Sequence, residues 1–154
     1  MADGSIDDFA NAAEDLTRRV CDAGDAKEGD RILDCGCGFG GTIASLSDRF
    51  TNMYLVGLNI DPRQLSRAKE LVQPRNSNPI EFIEGDACLL TFPDNSFDLV
   101  LAVESIFHFP SRQKFFQEAW RVLKPGGKLA LGDFVPQEAF LPIMQFWSDL
   151  IRPF

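Results

Sequence analysis

The chain has only one histidine among its 154 residues, and no stretch of it is rich in lysine or arginine. Lys and Arg together number 15 against 23 Asp and Glu, which gives a net charge of −8. Binding nucleic-acid phosphates requires clustered basic side chains, and docking on an anionic membrane surface has the same requirement. We therefore expect that neither nucleic acid nor a membrane is a partner of this chain.

Long apolar runs are also missing. No segment approaches the roughly 18 consecutive apolar residues that a membrane-spanning helix needs. The acidic N-terminus has no apolar core of the kind found in secretory signals, so we expect a cytoplasmic protein. A length of 154 residues allows one domain with a core but not two ordinary ones, and we expect residues 1–154 to form a single domain.

The four cysteines give little sign of a metal site. Only Cys35 and Cys37 are close in sequence, and a C-x-C pair with no nearby histidine and no second pair is a weak zinc signal. Cysteine also packs as a small buried hydrophobe. We expect this packing role and no metal, with a metal or redox role as the alternative.

Strand-like and helix-like apolar patterns alternate along the chain. Strands are predicted at residues 31–35, 53–60, 80–84, 97–103 and 128–133. Helices are predicted at residues 6–23, 41–50, 62–73, 111–123 and 142–151, with Leu71 and Phe116 on their buried faces, and residues 124–127 are predicted to form a turn. This alternation predicts a doubly wound α/β fold with a mainly parallel sheet and right-handed crossovers. In such sheets ligands bind beyond the carboxyl ends of the strands.

A glycine loop follows the first predicted strand. Gly36, Gly38 and Gly40 let the backbone turn sharply and approach a ligand closely, although a tight strand-to-helix turn alone would also use them. Their G-x-G-x-G spacing differs from the G-x-G-x-x-G of dinucleotide-binding folds, and no phosphate-loop lysine is present. The loop favours a nucleoside ligand without a pyrophosphate.

Polar residues end the second and third predicted strands. Asn59 lies about 20 residues beyond the loop, where nucleoside-binding enzymes place a ribose contact. Asp61 is expected to cap the next helix, ahead of Pro62, rather than to bind a ligand. Asp86 has the acceptors to bind an adenine amino group, with the Ala87 N–H donating to the ring; the alternative is that Asp86 only stabilises its turn.

Five segments resemble class I S-adenosylmethionine-dependent methyltransferases in order and spacing. These are residues 32–41, 56–61, 84–87, 97–105 and 123–129. The nearest resemblance is to the small-molecule branch, which includes the sarcosine/dimethylglycine, tocopherol-type and natural-product sugar methyltransferases. It implies a Rossmann-like methyltransferase fold with S-adenosylmethionine as cofactor and S-adenosylhomocysteine as product.

The resemblance also implies roles for particular residues. Asp34, Gly36 and Gly38 would hold the methionine end of the cofactor, and Asn59 takes the position of the family's ribose-binding acid. The remaining positions implied for the cofactor are Cys37, Ile60, Asp86, Ala87 and Ala102. An amide in place of the ribose-binding carboxylate is a departure from the family pattern.

Residues 104–110 resemble the E-S-x-H-H-M segment of sugar O-methyltransferases. The first histidine position is Phe107 here, so that His108 is the candidate base, supported by Glu104 or by Asp133. Alignment of nucleophile, methyl and sulfur does most of the work in methyl transfer, and a base helps when the acceptor is a hydroxyl. The alternative is that His108 is a packed loop residue.

Three hypotheses follow from these patterns. The leading one is O- or N-methylation of a small-molecule acceptor. The second is a cofactor-binding module or fragment without full activity, because family members usually continue past the fifth strand into a β-hairpin, which we expect this chain to lack. An exposed edge strand would then favour a homodimer. The third, a nucleotide-cofactor oxidoreductase, is disfavoured by the glycine spacing and by Asn59.

Overall fold

A computed structural model describes residues 6–133. Its strands are Arg31–Cys35 (β1), Tyr54–Asn59 (β2), Ile80–Glu84 (β3), Phe97–Val103 (β4) and Leu123–Gly132 (β5). Its helices are Ile6–Ala23 (α1), Gly41–Arg49 (α2), Pro62–Leu71 (α3) and Arg112–Val122 (α4), with one 3₁₀ turn at Ile106–His108. The helix predicted at residues 142–151, and the question of a terminal β-hairpin, lie outside the described residues.

The five strands form one sheet in the order β3-β2-β1-β4-β5, and every neighbouring pair is parallel. Leu33 of β1 pairs with Val56 of β2 on one side and with Val100 of β4 on the other. The chain therefore places β2 and β3 on one side of β1 and then places β4 and β5 on the other side. This confirms the predicted doubly wound parallel fold, and it places the switch point between β1 and β4.

Both faces of the sheet are covered, as a parallel sheet requires. Ile32 and Leu33 are adjacent in β1 and point to opposite faces, so that each belongs to a different core cluster. Ile43 and Leu46 of α2 pack on the Ile32 face, while Phe115 of α4 packs on the Leu33 face. Within residues 6–133, no helix is both long and apolar enough to cross a membrane.

Side-chain caps fix where two helices begin. Asp61 accepts a hydrogen bond from the Arg63 N–H at 2.9 Å, with Pro62 in the first turn, which confirms Asp61 as a cap. Ser111 likewise accepts from the Lys114 N–H at 3.2 Å. Each cap satisfies an N–H that has no partner within the helix. Because α3 must begin directly after β2, Asn59 is held at the carboxyl edge of the sheet.

Three details differ from the sequence prediction. Leu71 and Phe116, expected to be buried, are 56% and 42% exposed. Leu71 is the last residue of α3, and Phe116 follows Phe115, which already fills the space against the sheet. The fifth strand begins at Leu123 rather than at residue 128. Residues 124–127, predicted as a turn, instead form an irregularity within this strand, because Leu123 pairs with Phe97 of β4 and Lys128 pairs with Leu99.

Candidate active site

A cavity of about 260 Å³ opens beyond the carboxyl ends of β1, β2, β3 and β4. The polar residues that were predicted to end the second and third strands lie at this edge. The site residues predicted from sequence that line the cavity are Gly36, Gly38, Asn59, Ile60, Asp86, Ala87, Glu104 and His108. The topology therefore gathers residues from four separate segments of the chain around one space.

Four predicted site residues do not line this cavity. Asp34, Cys37 and Ala102 are buried behind it, with exposed fractions of 1%, 7% and 0%. Asp133 follows β5, and its carboxylate forms an ion pair with Arg112 at 2.8 Å. Within residues 6–133, no three His, Cys, Asp or Glu side chains are grouped as metal ligands.

The glycine loop is held against the end of β2. The N–H groups of Gly36 and Cys37 both donate to the Leu58 carbonyl, at 2.8 and 3.0 Å. Gly36 has φ +80°, and a Cβ there would lie 2.5 Å from the Ser105 Cβ. Gly38 has φ +54°, but a Cβ there would meet nothing within 4 Å. Gly36 is thus required for packing, while Gly38 borders open space in the cavity.

The Asp34 carboxylate is buried next to this loop and, among the described residues, accepts no hydrogen bond of normal geometry, although the Thr42 side chain lies close enough to act on it. Burial raises the pKa of Asp34 to about 7, an effect that the Thr42 side chain opposes. Desolvation disfavours the ionised form, and a nearby positive charge would favour it. An unpartnered buried carboxylate under a glycine loop therefore fits a cationic ligand such as S-adenosylmethionine.

Asn59, which ends β2, is paired with a residue that sequence reasoning missed. The Asn59 side-chain amide donates to the Gln64 Oε1 at 2.7 Å, and both residues line the cavity. Asn59 is 8% exposed, and this bond leaves its Oδ1 as an acceptor. The available signal for Gln64 was its position in the first turn of α3, directly after a strand end at the ligand edge.

Asp86, after β3, both lines the cavity and stabilises its turn. Its Oδ1 accepts from the Cys88 N–H at 2.8 Å, and its backbone carbonyl accepts from the Leu89 N–H at 3.0 Å. Its other carboxylate oxygen has no donor among the described residues. The turn role that was offered as an alternative is therefore present, and one acceptor remains for a ligand.

The loop after β4 forms the opposite wall. Ser105, a second residue missed from sequence, is buried and donates to the Cys35 carbonyl at 2.7 Å. Glu104 is exposed and has φ +49°, a conformation that non-glycine residues rarely adopt. Such strain occurs where surrounding contacts dictate the backbone, as the Glu104 N–H bond to the Gly132 carbonyl does here.

His108 reaches the cavity from the 3₁₀ turn after β4. Its ring is exposed and lies 4.2 Å, between centroids, from the Phe107 ring. The ring forms no hydrogen bond with Glu104 or Asp133 in the described part of the chain. The structure thus brings His108 and Glu104 to the same cavity, whereas Asp133 is paired with Arg112.

The fold and the position of the cavity are those of a doubly wound α/β domain whose ligand edge opens at the switch point of its sheet. Residues 33–131 match the family model described as a methyltransferase domain, and the chain belongs to that family. The predicted resemblance to class I methyltransferases is confirmed.

Individual relatives agree with this family. The 27-O-demethylrifamycin SV methyltransferase of Amycolatopsis mediterranei is 39% identical, over 90% of this chain and 53% of the relative. The sterol 24-C-methyltransferase of Pneumocystis carinii is 41% identical, over 71% of this chain and 29% of the relative. The solved structure of SpnF, described as a 4+2 cyclase, has a TM-score of 0.75 at 30% identity and covers 84% of this chain and 48% of that one. This chain thus spans about half the length of the first relative and less of the second.

Proposed function

We propose that the protein transfers a methyl group from S-adenosylmethionine to an oxygen or nitrogen of a small-molecule acceptor. One observation carries the proposal: a single cavity joins Gly38, Asn59 and Asp86 on one side to Glu104 and His108 on the other. When bound, the cofactor supplies a methyl group on a positively charged sulfur. We call the first side, with Gly36 and Ala87, the cofactor half, and the second, with Ser105, the acceptor half.

The cofactor half offers complementary groups for each part of the ligand. Gly38 leaves room for the methionine portion, and the Asn59 Oδ1 accepts from a ribose hydroxyl. The free oxygen of Asp86 accepts from the adenine amino group, beside the Ala87 backbone and the exposed side chain of Ile60. Asp34, behind the loop with Cys37 and Ala102, contributes negative potential rather than a direct contact.

The acceptor half supplies the base. His108 is exposed within the cavity wall, which lets its ring take a proton from an acceptor hydroxyl as the methyl group is transferred. Glu104 is assigned to orient the acceptor or the ring. Asp133 is assigned to the same side, with its charge balanced by Arg112.

Binding separates this proposal from its alternatives. Calorimetric titration should give micromolar affinity for S-adenosylmethionine and S-adenosylhomocysteine and none for NAD. Preferential binding of NAD would contradict the proposal. Binding of the first two ligands without turnover would instead identify a cofactor-binding module without full activity, which is the second hypothesis.

Turnover must be followed as methyl transfer itself, because one structural relative is described as a cyclase. The assay combines methyl-tritiated S-adenosylmethionine with a panel of small hydroxyl-bearing and amine-bearing acceptors. His108→Ala should lower kcat for a hydroxyl acceptor by about 10²–10⁴-fold, the contribution of a positioned base. Because His108 is exposed, the variant should keep the wild-type Tm. An unchanged kcat would remove the base role.

The remaining assignments concern partners. We propose that the protein is cytoplasmic and, from its net charge of −8, that it binds neither nucleic acid nor an anionic membrane surface. We also propose a homodimer through β5, which lies at one edge of the described sheet and exposes 38% of Leu131. Sedimentation equilibrium of the wild type and of Leu131→Lys tests this: a dimer that dissociates on substitution is expected, and a wild-type monomer would contradict it.

A further inference from the structure

We infer that Arg121 and Glu118 of α4 position the adenine side of the cofactor site, although neither lines the cavity. The inference rests on the proposed function, since it concerns how the turn that begins at Asp86 is held. Its basis is a set of hydrogen bonds between the two side chains and the loop from β3 to β4.

The Arg121 guanidinium binds the loop at three points. It donates to the carbonyl oxygens of Leu90 and Phe92 and to the Asp94 carboxylate, each at 2.8 Å. A guanidinium presents several donors in a fixed plane, so that one side chain can fix several acceptors at once. Five residues of loop are thereby tied to one position on α4.

Glu118 completes this clamp. Its carboxylate accepts two bonds from Arg121, at 3.0 and 2.8 Å, and also accepts the Leu90 N–H at 2.8 Å. Leu90 therefore has both its N–H and its carbonyl bound by the same ion pair. Leu90 is 5% exposed, so its packing holds the loop against the core. The hydrogen bonds to its N–H and its carbonyl fix the orientation of the backbone at Leu90.

A short hydrogen-bonded turn connects Leu90 to the cavity. The Asp86 carbonyl accepts from the Leu89 N–H at 3.0 Å, and the Asp86 Oδ1 accepts from the Cys88 N–H at 2.8 Å. Asp86 and Ala87 line the cavity at the start of this turn, and the clamp holds the residue after its end. Rotation at Leu90 would therefore be transmitted to the free carboxylate oxygen of Asp86.

The test uses Arg121→Lys, which keeps the positive charge but cannot form the same set of bonds. Arg67→Lys is the matched control, because Arg67 also pairs with a glutamate three residues away, Glu70, but this pair is exposed on α3 and away from the cavity. Affinities for S-adenosylhomocysteine and S-inosylhomocysteine are measured by calorimetry well below the Tm of each protein. The second ligand lacks the adenine amino group, so the ratio of the two affinities reports the Asp86 contact.

Wild type should prefer S-adenosylhomocysteine, and Arg121→Lys should lower this preference by about fivefold, a typical size for coupling through a packed network. The affinity for S-inosylhomocysteine should change little, and Arg67→Lys should match the wild type. Asp94→Ala removes one bond at an exposed carboxylate and should give a smaller loss in the same direction, which keeps the test open if Arg121→Lys does not fold.

An unchanged preference in the variants, or an equal loss for both ligands, would overturn the inference. Failure of wild type to bind either ligand would instead contradict the proposed function.

Discussion

The two halves of the cavity are built by different means. In the cofactor half, backbone bonds from Gly36 and Cys37 to the Leu58 carbonyl hold the loop, and Asn59 is buried and paired. In the acceptor half, the side chains of Glu104 and His108 are exposed at the surface. A half fixed by backbone and burial suits a cofactor of constant shape, whereas exposed side chains can be exchanged for a new acceptor without loss of the fold. One relative is named for a substrate that lacks a methyl group on oxygen, 27-O-demethylrifamycin SV, and another for methylation of a sterol at carbon 24.

The largest effect is expected at the buried carboxylate of the cofactor half. Burial raises the pKa of Asp34 from 3.8 to about 7, so between these values the folded protein holds a proton that the unfolded chain releases. The free energy of unfolding therefore falls as pH rises through this window and levels off above it, by at most about 4 kcal/mol. Asp34→Asn removes this titration. The stability of the variant relative to wild type should thus increase from about pH 5 to about pH 8, measured by urea unfolding.

Asp61→Asn is the control for this prediction. The Arg63 side chain, by hydrogen bonding to Asp61, lowers the pKa of Asp61 to about 2, so its contribution is already complete above its unfolded pKa of 3.8. The difference in the free energy of unfolding between Asp61→Asn and wild type should therefore stay constant over the same range of pH. Parallel curves for Asp34→Asn and wild type would show that Asp34 is ionised in the fold at all these pH values.

The next effect separates ligand space from backbone strain. Gly38 and Gly29 both have positive φ, at +54° and +82°, and a Cβ at either meets nothing within 4 Å. Substitution by alanine at either position should therefore lower the free energy of unfolding by a similar amount, about 1 kcal/mol, because of backbone strain. Only Gly38 lines the cavity, so Gly38→Ala alone should weaken S-adenosylhomocysteine binding, by roughly tenfold or more, or about 1.4 kcal/mol. Equal calorimetric affinities for the two variants would place the ligand away from Gly38.

The sequence predicted positions that the backbone restricts better than it predicted pairs of side chains, for a physical reason. Residues such as Gly36 and Asp61 occupy positions where backbone conformation restricts the residue type, so that their spacing carries information. Contacts between side chains from distant segments leave no such pattern. The pairs Asn59–Gln64 and Ser105–Cys35 depend on how α3 and the loop after β4 are placed, and the Asp133 pairing with Arg112 was not foreseen for the same reason.

A smaller effect is expected at Asn59, where the family pattern has an acid. Asn59→Asp should tighten S-adenosylmethionine binding by about fivefold, because a hydrogen bond to a charged acceptor is worth roughly 1 kcal/mol more than a neutral one. Gln64 can rotate its amide and donate to the new carboxylate, so the pair survives. Gln64→Glu, which removes the donor, is the comparison variant and should weaken binding when combined with Asn59→Asp. A weaker affinity of Asn59→Asp alone, by calorimetry, would show that residue 59 does not contact the ribose.

The smallest effect concerns strain in the acceptor half. Glu104 has φ +49° at an exposed position, and glycine adopts this conformation without steric cost. Relief of that strain exceeds the added entropy of the unfolded glycine, so Glu104→Gly should raise the free energy of unfolding by about 0.5 kcal/mol. Asn95→Gly is the control: it has a similar φ of +56° but lies outside the cavity lining, and asparagine tolerates this region better, so it should gain less. Urea unfolding measures both, and a Glu104→Gly protein less stable than wild type would mean that contacts of the Glu104 side chain outweigh its backbone strain. If kcat falls while stability rises, the acceptor half keeps Glu104 for chemistry at the expense of stability, in contrast to the cofactor half, where glycine at position 36 suits both its positive φ and its close packing on Ser105.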